Sequence, residues 1–289
     1  MKQQKTITIS LSLSSLALVL GLFSACSKDP QVPAYIHIDA IPVSTDYLLE
    51  GSNSSKVSDA WITVDGKSIG TFELPATIPV LASEGSHQIS VDAGILMNGI
   101  AASRVKYPYY TTYSVSKDLK KGAILTVTPD VKYTEYAFFP WKEDFDNNSS
   151  SLELTAKSDQ HITIQRATGD LKFEGQGSAY ITMTPDQTTF ECATVDEVAL
   201  PKDGTEIYLE LNFKTNVQIN VGLYSNTASG VYRETAETLN TTTTWKKVYI
   251  NLTSVATRHA DAGGFKLYFS STNNGSNAEI FLDNIKLVY

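Results

Sequence analysis

Tyrosine is the residue type here best suited to chemistry at a surface. Its ring offers an apolar face and its hydroxyl a polar tip. Tyr208, Tyr249 and Tyr268 recur on apolar-alternating stretches, with Glu210, Asn212 and Asn251 close by. Rings of this kind stack on flat apolar faces, and the amides and carboxylates beside them hydrogen-bond hydroxyls. Exposed tyrosines are also common on strands simply because they fit a pleated surface. Catalytic constellations are not apparent. His37, His87, His161 and His259 are scattered, and there is no His-Glu-x-x-His, no Gly-x-Ser-x-Gly and no phosphate loop. Gly175-Gln176-Gly177 is too short for a dinucleotide site and reads as a turn. The expectation is therefore a binding protein and not an enzyme.

The elements that position these residues are strands. Leu209, Leu211 and Phe213 alternate with Tyr208, Glu210 and Asn212. Val217, Ile219 and Val221 alternate with Gln218 and Asn220. Val248, Ile250 and Leu252 alternate with Tyr249 and Asn251, and Phe265, Leu267 and Phe269 with Lys266 and Tyr268. Side chains alternate between the faces of a strand, so one set packs and the other points outward. If the strands neighbour each other, Tyr208, Tyr249 and Tyr268 line a shallow platform with Glu210. Ser, Thr, Gly and Asn clusters mark turns between the runs. Few stretches carry a helical period, so the fold class is all-β.

The chain has 289 residues. Lys2 and Lys5 precede an apolar run from Ile7 to Phe23, and Ser24-Ala25 is a small-residue cleavage site, the pattern of a secretory signal. Residues 1–25 are expected to be removed. Residues 26–33, with two prolines, read as an extended tether, 34–136 as a first β-rich unit and 137–289 as a second. The processed chain carries 21 basic against 31 acidic residues, a formal charge of −10. That argues against nucleic acid and anionic headgroups as partners. The two cysteines, Cys26 and Cys192, build neither a disulfide framework nor a cysteine metal site. Cys192 reads as a small buried hydrophobe.

Leu22-Phe23-Ser24-Ala25-Cys26 resembles a bacterial lipobox. The resemblance implies lipidation of Cys26 and a membrane anchor, in the manner of Bacteroidetes-type outer-membrane lipoproteins of the cell envelope. Lys28 stands where the surface-export signal of such proteins usually has an acid, so the side faced is not assigned. In the first unit, Trp61 to Gly70 contains the hairpin signal Asp65-Gly66, followed by proline-bearing segments and Glu84 to Val91. Residues 60–92 resemble the PEGA-type surface β-domain, which implies a small β-sandwich spacer. Tyr107, Tyr109, Tyr110 and Tyr113 fall within seven residues and read either as a contact surface or as an edge strand blocked by Pro108. Phe138-Phe139-Pro140-Trp141 is expected to pack the two units together.

The second unit opens with Glu143-Asp144-Phe145-Asp146, contains Gly175 to Met183 and Thr242 to Leu252, and closes with Ile280 to Tyr289. It resembles the jelly-roll galactose-binding-like and carbohydrate-binding modules. The resemblance implies a second β-sandwich, a polysaccharide ligand on an outward sheet face, and a packing role for Trp245. It also implies a structural calcium ion where the first and last strands meet, with Glu143, Asp144, Asp146 and Asp283 as the matching ligands. The alternative is an adhesin or an accessory subunit that binds an envelope protein partner through the tyrosine run.

Overall fold

The computed structural model describes residues 32–289. The lipobox and most of the tether lie outside the described residues. The first unit contains β1 (Ala34–Ile38), β2 (Val43–Ser44), β3 (Asp59–Val64), β4 (Lys67–Glu73), β5 (Ala76–Val80), β6 (Gly85–Leu96), β7 (Arg104–Lys106), β8 (Tyr113–Leu119), β9 (Ile124–Thr126) and β10 (Val131–Lys132). They form a sheet of order β5-β1-β9, a β10-β2 pair, and a sheet of order β4-β3-β6-β7 in which β8 also pairs with β6. Ile36 and Ile38 of β1 meet Ile62 and Val64 of β3 and Ile89, Val91 and Ile95 of β6 in one core. Asp65 and Gly66 close the β3–β4 hairpin, both at positive φ (50° and 75°), as a two-residue turn of matching twist requires.

The second unit contains β11 (Trp141–Glu143), β12 (Leu152–Leu154), β13 (Gln165–Ala167), β14 (Ser178–Met183), β15 (Thr189–Thr194), β16 (Tyr208–Thr215), β17 (Ile219–Thr227), β18 (Gly230–Leu239), β19 (Thr242–Asn251), β20 (Gly264–Thr272) and β21 (Ala278–Val288). A six-stranded sheet runs β13-β14-β21-β16-β19, with β11 also on β21. A five-stranded sheet runs β12-β15-β20-β17-β18. The alternating apolar residues fill the space between them: Leu209 and Leu211 from one sheet, Ile219, Val221, Phe265, Leu267 and Phe269 from the other. The fold is thus all-β, with the second unit a two-sheet sandwich. Cys192 is fully buried in this core, and burial pushes its thiol pKa up.

One irregularity sets which side chains leave the six-stranded sheet. Between β16 and β21 the register shifts, from Glu210 opposite Lys286 to Asn212 opposite Asp283. The extra length on β21 includes Asn284, at φ 47°, as at a β-bulge. Phe281 and Asp283 project from the outer face before it, Lys286 and Val288 after it. Continuous alternation would have sent one pair into the core.

The two units are joined over a large part of this outer face. Tyr208, Tyr249 and Val288 of the second unit pack into the core of the first, against Tyr107, Tyr109, Tyr110 and Tyr133. Phe138 and Tyr289 exchange backbone hydrogen bonds (2.8 and 3.1 Å), and their rings lie 5.3 Å apart. Phe139 joins the first core and Trp141 the second.

Candidate functional site

The expected tyrosine platform is not open to solvent. Tyr208 and Tyr249 are each 1% exposed, and Tyr268 and Glu210 are 0% exposed. The side-chain parity holds, but the face is covered. Glu210 Oε1 accepts hydrogen bonds from the hydroxyls of Tyr107 and Tyr133, both at 2.7 Å, and Oε2 lies 3.1 Å from the Lys247 ammonium. Burial alone would push the Glu210 carboxyl up. The charges of Lys247 and Lys286 and the two hydroxyls outweigh it and hold the carboxyl below its ordinary value. Tyr268 lies on the opposite sheet, in register with Gly222 and, through it, Thr235. A Cβ at Gly222 would sit 2.8 Å from the Tyr268 ring, so glycine there lets the ring lie flat. Its hydroxyl meets Thr235 Oγ1 at 2.7 Å, and the Arg233 guanidinium covers it at 4.0 Å.

The tyrosine run is likewise spent within the chain. Tyr107, Tyr109 and Tyr110 are buried between the units, with Tyr107 5.0 Å from Tyr208 and 5.1 Å from Tyr249. Tyr107, Tyr109 and Tyr110 are therefore not the free contact surface expected there, and Tyr113 on β8 is partly exposed.

The uncovered half of the same sheet carries a different aromatic row. Tyr180 on β14 pairs in register with Phe281 on β21, which pairs with Lys214 on β16. The Tyr180 and Phe281 rings stack at 4.5 Å and 17°. Trp245 on β19 lies 6.0 Å from Phe281, and Phe173 lies 5.3 Å from Trp245. The Lys214 ammonium sits 4.2 Å from the centre of the Phe281 ring, and its charge favours that face. Tyr180 donates to Glu279 Oε1 at 2.6 Å, and this bond pushes its hydroxyl up to about 12. A recess of about 700 Å³ opens here, lined by Lys214, Asn216, Thr242, Thr244, Glu279 and Phe281. Trp245 is only partly buried and stands on the outer face, where it meets Phe173 and Lys214 and takes no part in the sandwich core. Its packing is against Phe173 and Phe281 on that face and not within the core. Period-two alternation alone would have placed Tyr180, Phe281 and Trp245 outward. Which half of the face stays open depends on where the first unit docks.

The four acids expected to hold calcium do not gather as a set. Glu143 turns to its own loop, accepting from Phe145 N at 2.9 Å and from Ser151 N and Oγ at 2.6 Å each. Asp144, Asp146 and Asp283 line a second recess of about 340 Å³ with Glu174, which the sequence reading missed, and with Tyr47 of the first unit. The Tyr47 hydroxyl donates to Asp144 (3.0 Å) and Asp146 (3.2 Å). The backbone carbonyls of Phe145 and Asp146, oxygens a hard cation would use, accept from the Arg166 guanidinium at 2.8 Å each. Burial raises the Asp283 carboxyl to about 7, against hydrogen bonds from Ser178 and Asn284. Among the described residues no group of three or more acidic, histidine or cysteine side chains is placed to enclose an ion. The residues as arranged do not fit the expected ion.

No family model matches the chain, and no curated protein matches its sequence. Among solved structures it is similar to the CBM22-1 xylan-binding domain of Paenibacillus barcinonensis Xyn10C (10% identity, 53% of this chain and 96% of that one, TM-score 0.39). It is also similar to a family 11 carbohydrate-binding module of Clostridium thermocellum (14%, 50% and 94%, TM-score 0.36). A third similarity is to the K3 adhesin domain of the Lys-gingipain of Porphyromonas gingivalis (15%, 53% and 98%, TM-score 0.36).

Proposed function

We propose that the second domain captures a glycan chain on the uncovered half of its six-stranded sheet, without catalysis. One observation carries this reading: Tyr180 and Trp245 stand partly exposed on the sheet on either side of the buried Phe281, next to a recess lined by threonine, asparagine, lysine and glutamate side chains. The ring centres step 4.5 Å from Tyr180 to Phe281 and 6.0 Å on to Trp245. Partly exposed aromatic surface from Tyr180 and Trp245 beside those polar groups suits a polymer whose units present apolar faces and hydroxyl edges. In this reading a lipid on Cys26 tethers the two domains to the outer membrane. Substitution Cys26→Ser should then release the protein into the soluble fraction.

The test is retention of the two-domain chain, residues 27–289, on a panel of polysaccharides by affinity electrophoresis. Trp245→Ala and Tyr180→Ala should each weaken retention by at least about tenfold in Kd with the melting temperature preserved. Phe281 is 3% exposed, so its substitution would confound binding with folding. Retention unchanged in both variants would overturn the reading.

A further inference from the structure

We propose that the ligand groove continues past Trp245 into the cleft between the domains, so that the first domain forms one wall of the binding site. The inference rests on the glycan reading of the aromatic row. A cleft of about 750 Å³ is lined on one side by Trp245 and Phe173, and on the other by Ser54, Lys56, Asn98 and Ile100 of the first domain. It is continuous with the recess above the aromatic row, since Thr241, Thr244 and Lys246 line both.

The wall is fixed where a ligand would need it. The loop after β6 docks edge-on to β19: Asn98 N donates to Tyr249 O at 2.7 Å, and Asn251 N donates to Asn98 Oδ1 at 2.9 Å. Asn98 holds a positive φ of 59° to make this turn. The segment before β3 is anchored twice more, by Ser54 Oγ to Asn212 Oδ1 at 2.9 Å and by Lys56 N to Tyr249 Oη at 3.0 Å. Both loops therefore hold the second domain through residues next to the groove. This leaves Ile100 (47% exposed) and the Lys56 side chain free at its edge. The cleft repeats the chemistry of the row: ring and aliphatic faces from Trp245, Phe173 and Ile100, with an amide from Asn240 and hydroxyls from Thr241 and Thr244. A preformed wall of this kind adds contact without a new ordering cost. It makes the first domain a determinant of ligand length, in addition to any role as a spacer.

The experiment is isothermal titration of the two-domain chain with an oligosaccharide ladder, from disaccharide to octasaccharide, cut from the polysaccharide best retained in the panel. Wild-type affinity should climb with length beyond what the aromatic row accommodates. Ile100→Glu and Lys56→Glu, both at exposed positions, should remove about tenfold from the longest oligomers and leave the shortest unchanged. Trp245→Ala should weaken all lengths. If the first-domain variants keep the wild-type length profile while Trp245→Ala still abolishes binding, the extension is wrong and the glycan site stands. If the wild-type protein binds nothing in the panel, or Trp245→Ala binds normally, the glycan reading fails and the extension falls with it.

Discussion

Tyr107 of the first domain donates its hydroxyl to Glu210 of the second at 2.7 Å, and both side chains are buried. The bond spans 103 positions of sequence. Tyr133 donates to the same oxygen. The Lys247 ammonium faces the other oxygen, and Lys286 is near enough for its charge to steady the carboxylate. A buried carboxylate is tolerated only when its lone pairs and charge are met. Here the hydrogen-bond donors come from one domain and the counter-charge from the other.

Substituting Tyr107→Phe or Tyr133→Phe removes one donor to a buried charged acceptor and keeps the ring. Each should cost about 1.5–3 kcal/mol in urea denaturation. Because the two hydroxyls share Glu210 Oε1, the double variant should depart from additivity by roughly 0.5 kcal/mol or more. Strict additivity with small single costs would show that Glu210 is not held by the pair.

The second domain expressed alone, residues 137–289, should not reach the stability of the whole. Removing the first domain uncovers Tyr208 and Tyr249, roughly 150–250 Å² each, and leaves Glu210 without its tyrosine donors. Lys286 loses the carbonyls of Glu50 and Ser52, to which it donates at 2.7 and 2.8 Å. A single cooperative melt for the two-domain chain, and a lower or absent one for the fragment, is the expected calorimetric result. Two independent transitions in the whole chain would contradict it.

Much of this architecture was legible from alternation alone. Leu209, Leu211, Ile219, Val221, Phe265 and Phe269 face the core as period two demands, and Asp65-Gly66 turns where it should. Tyr208 and Tyr249 are the instructive failures. Their parity was right, yet parity says only that a residue leaves the core and nothing of what waits on the other side. The tyrosines of the first domain and those of the second were each readable as surface, and each is the cover of the other. Tyr268 failed differently, because only the sheet register brings it over Gly222 to Arg233 and Thr235. The resemblance implies packing for Trp245, and its spacing with Lys247 and Tyr249 puts that packing on the outward face. The β21 bulge is not visible in the strand's apolar pattern, and it decides that Asp283 and Lys286 share a face.

Alkaline titration should report the domain interface. Burial draws the Lys286 pKa from 10.5 down to about 8, against the opposing pull of Glu210. Between those values the unfolded chain holds a proton that the folded chain does not, so stability from this site rises with pH, by up to about 3 kcal/mol. The buried hydroxyls of Tyr107, Tyr110, Tyr133 and Tyr249 are pushed well above 10, chiefly by burial. Above pH 10 the unfolded tyrosines ionise while the folded ones keep their protons, so the sign reverses and stability falls. Denaturation from pH 7 to 11 should show a shallow rise and then a steep loss. The stability of wild type relative to Lys286→Met should rise between pH 8 and 10, and a constant difference would contradict the assignment.

Calcium should leave the protein's melting temperature unchanged within about 1 °C, with chelator as the comparison. The Phe145 and Asp146 carbonyls already accept from Arg166, and Glu143 is engaged with Phe145 and Ser151. A guanidinium holds the acidic turn, so Arg166→Ala should lower the melting temperature by several degrees, with loss of two hydrogen bonds at about 1 kcal/mol each. An ion bound only to the folded state would stabilise it by RT ln(1 + [L]/Kd), about 2.7 kcal/mol at a hundredfold excess over Kd. A calcium-dependent rise of that size in the wild type would show that Asp144, Asp146, Glu174 and Asp283 close around a cation. The same rise confined to Arg166→Ala would show that the arginine and the ion compete for one set of oxygens.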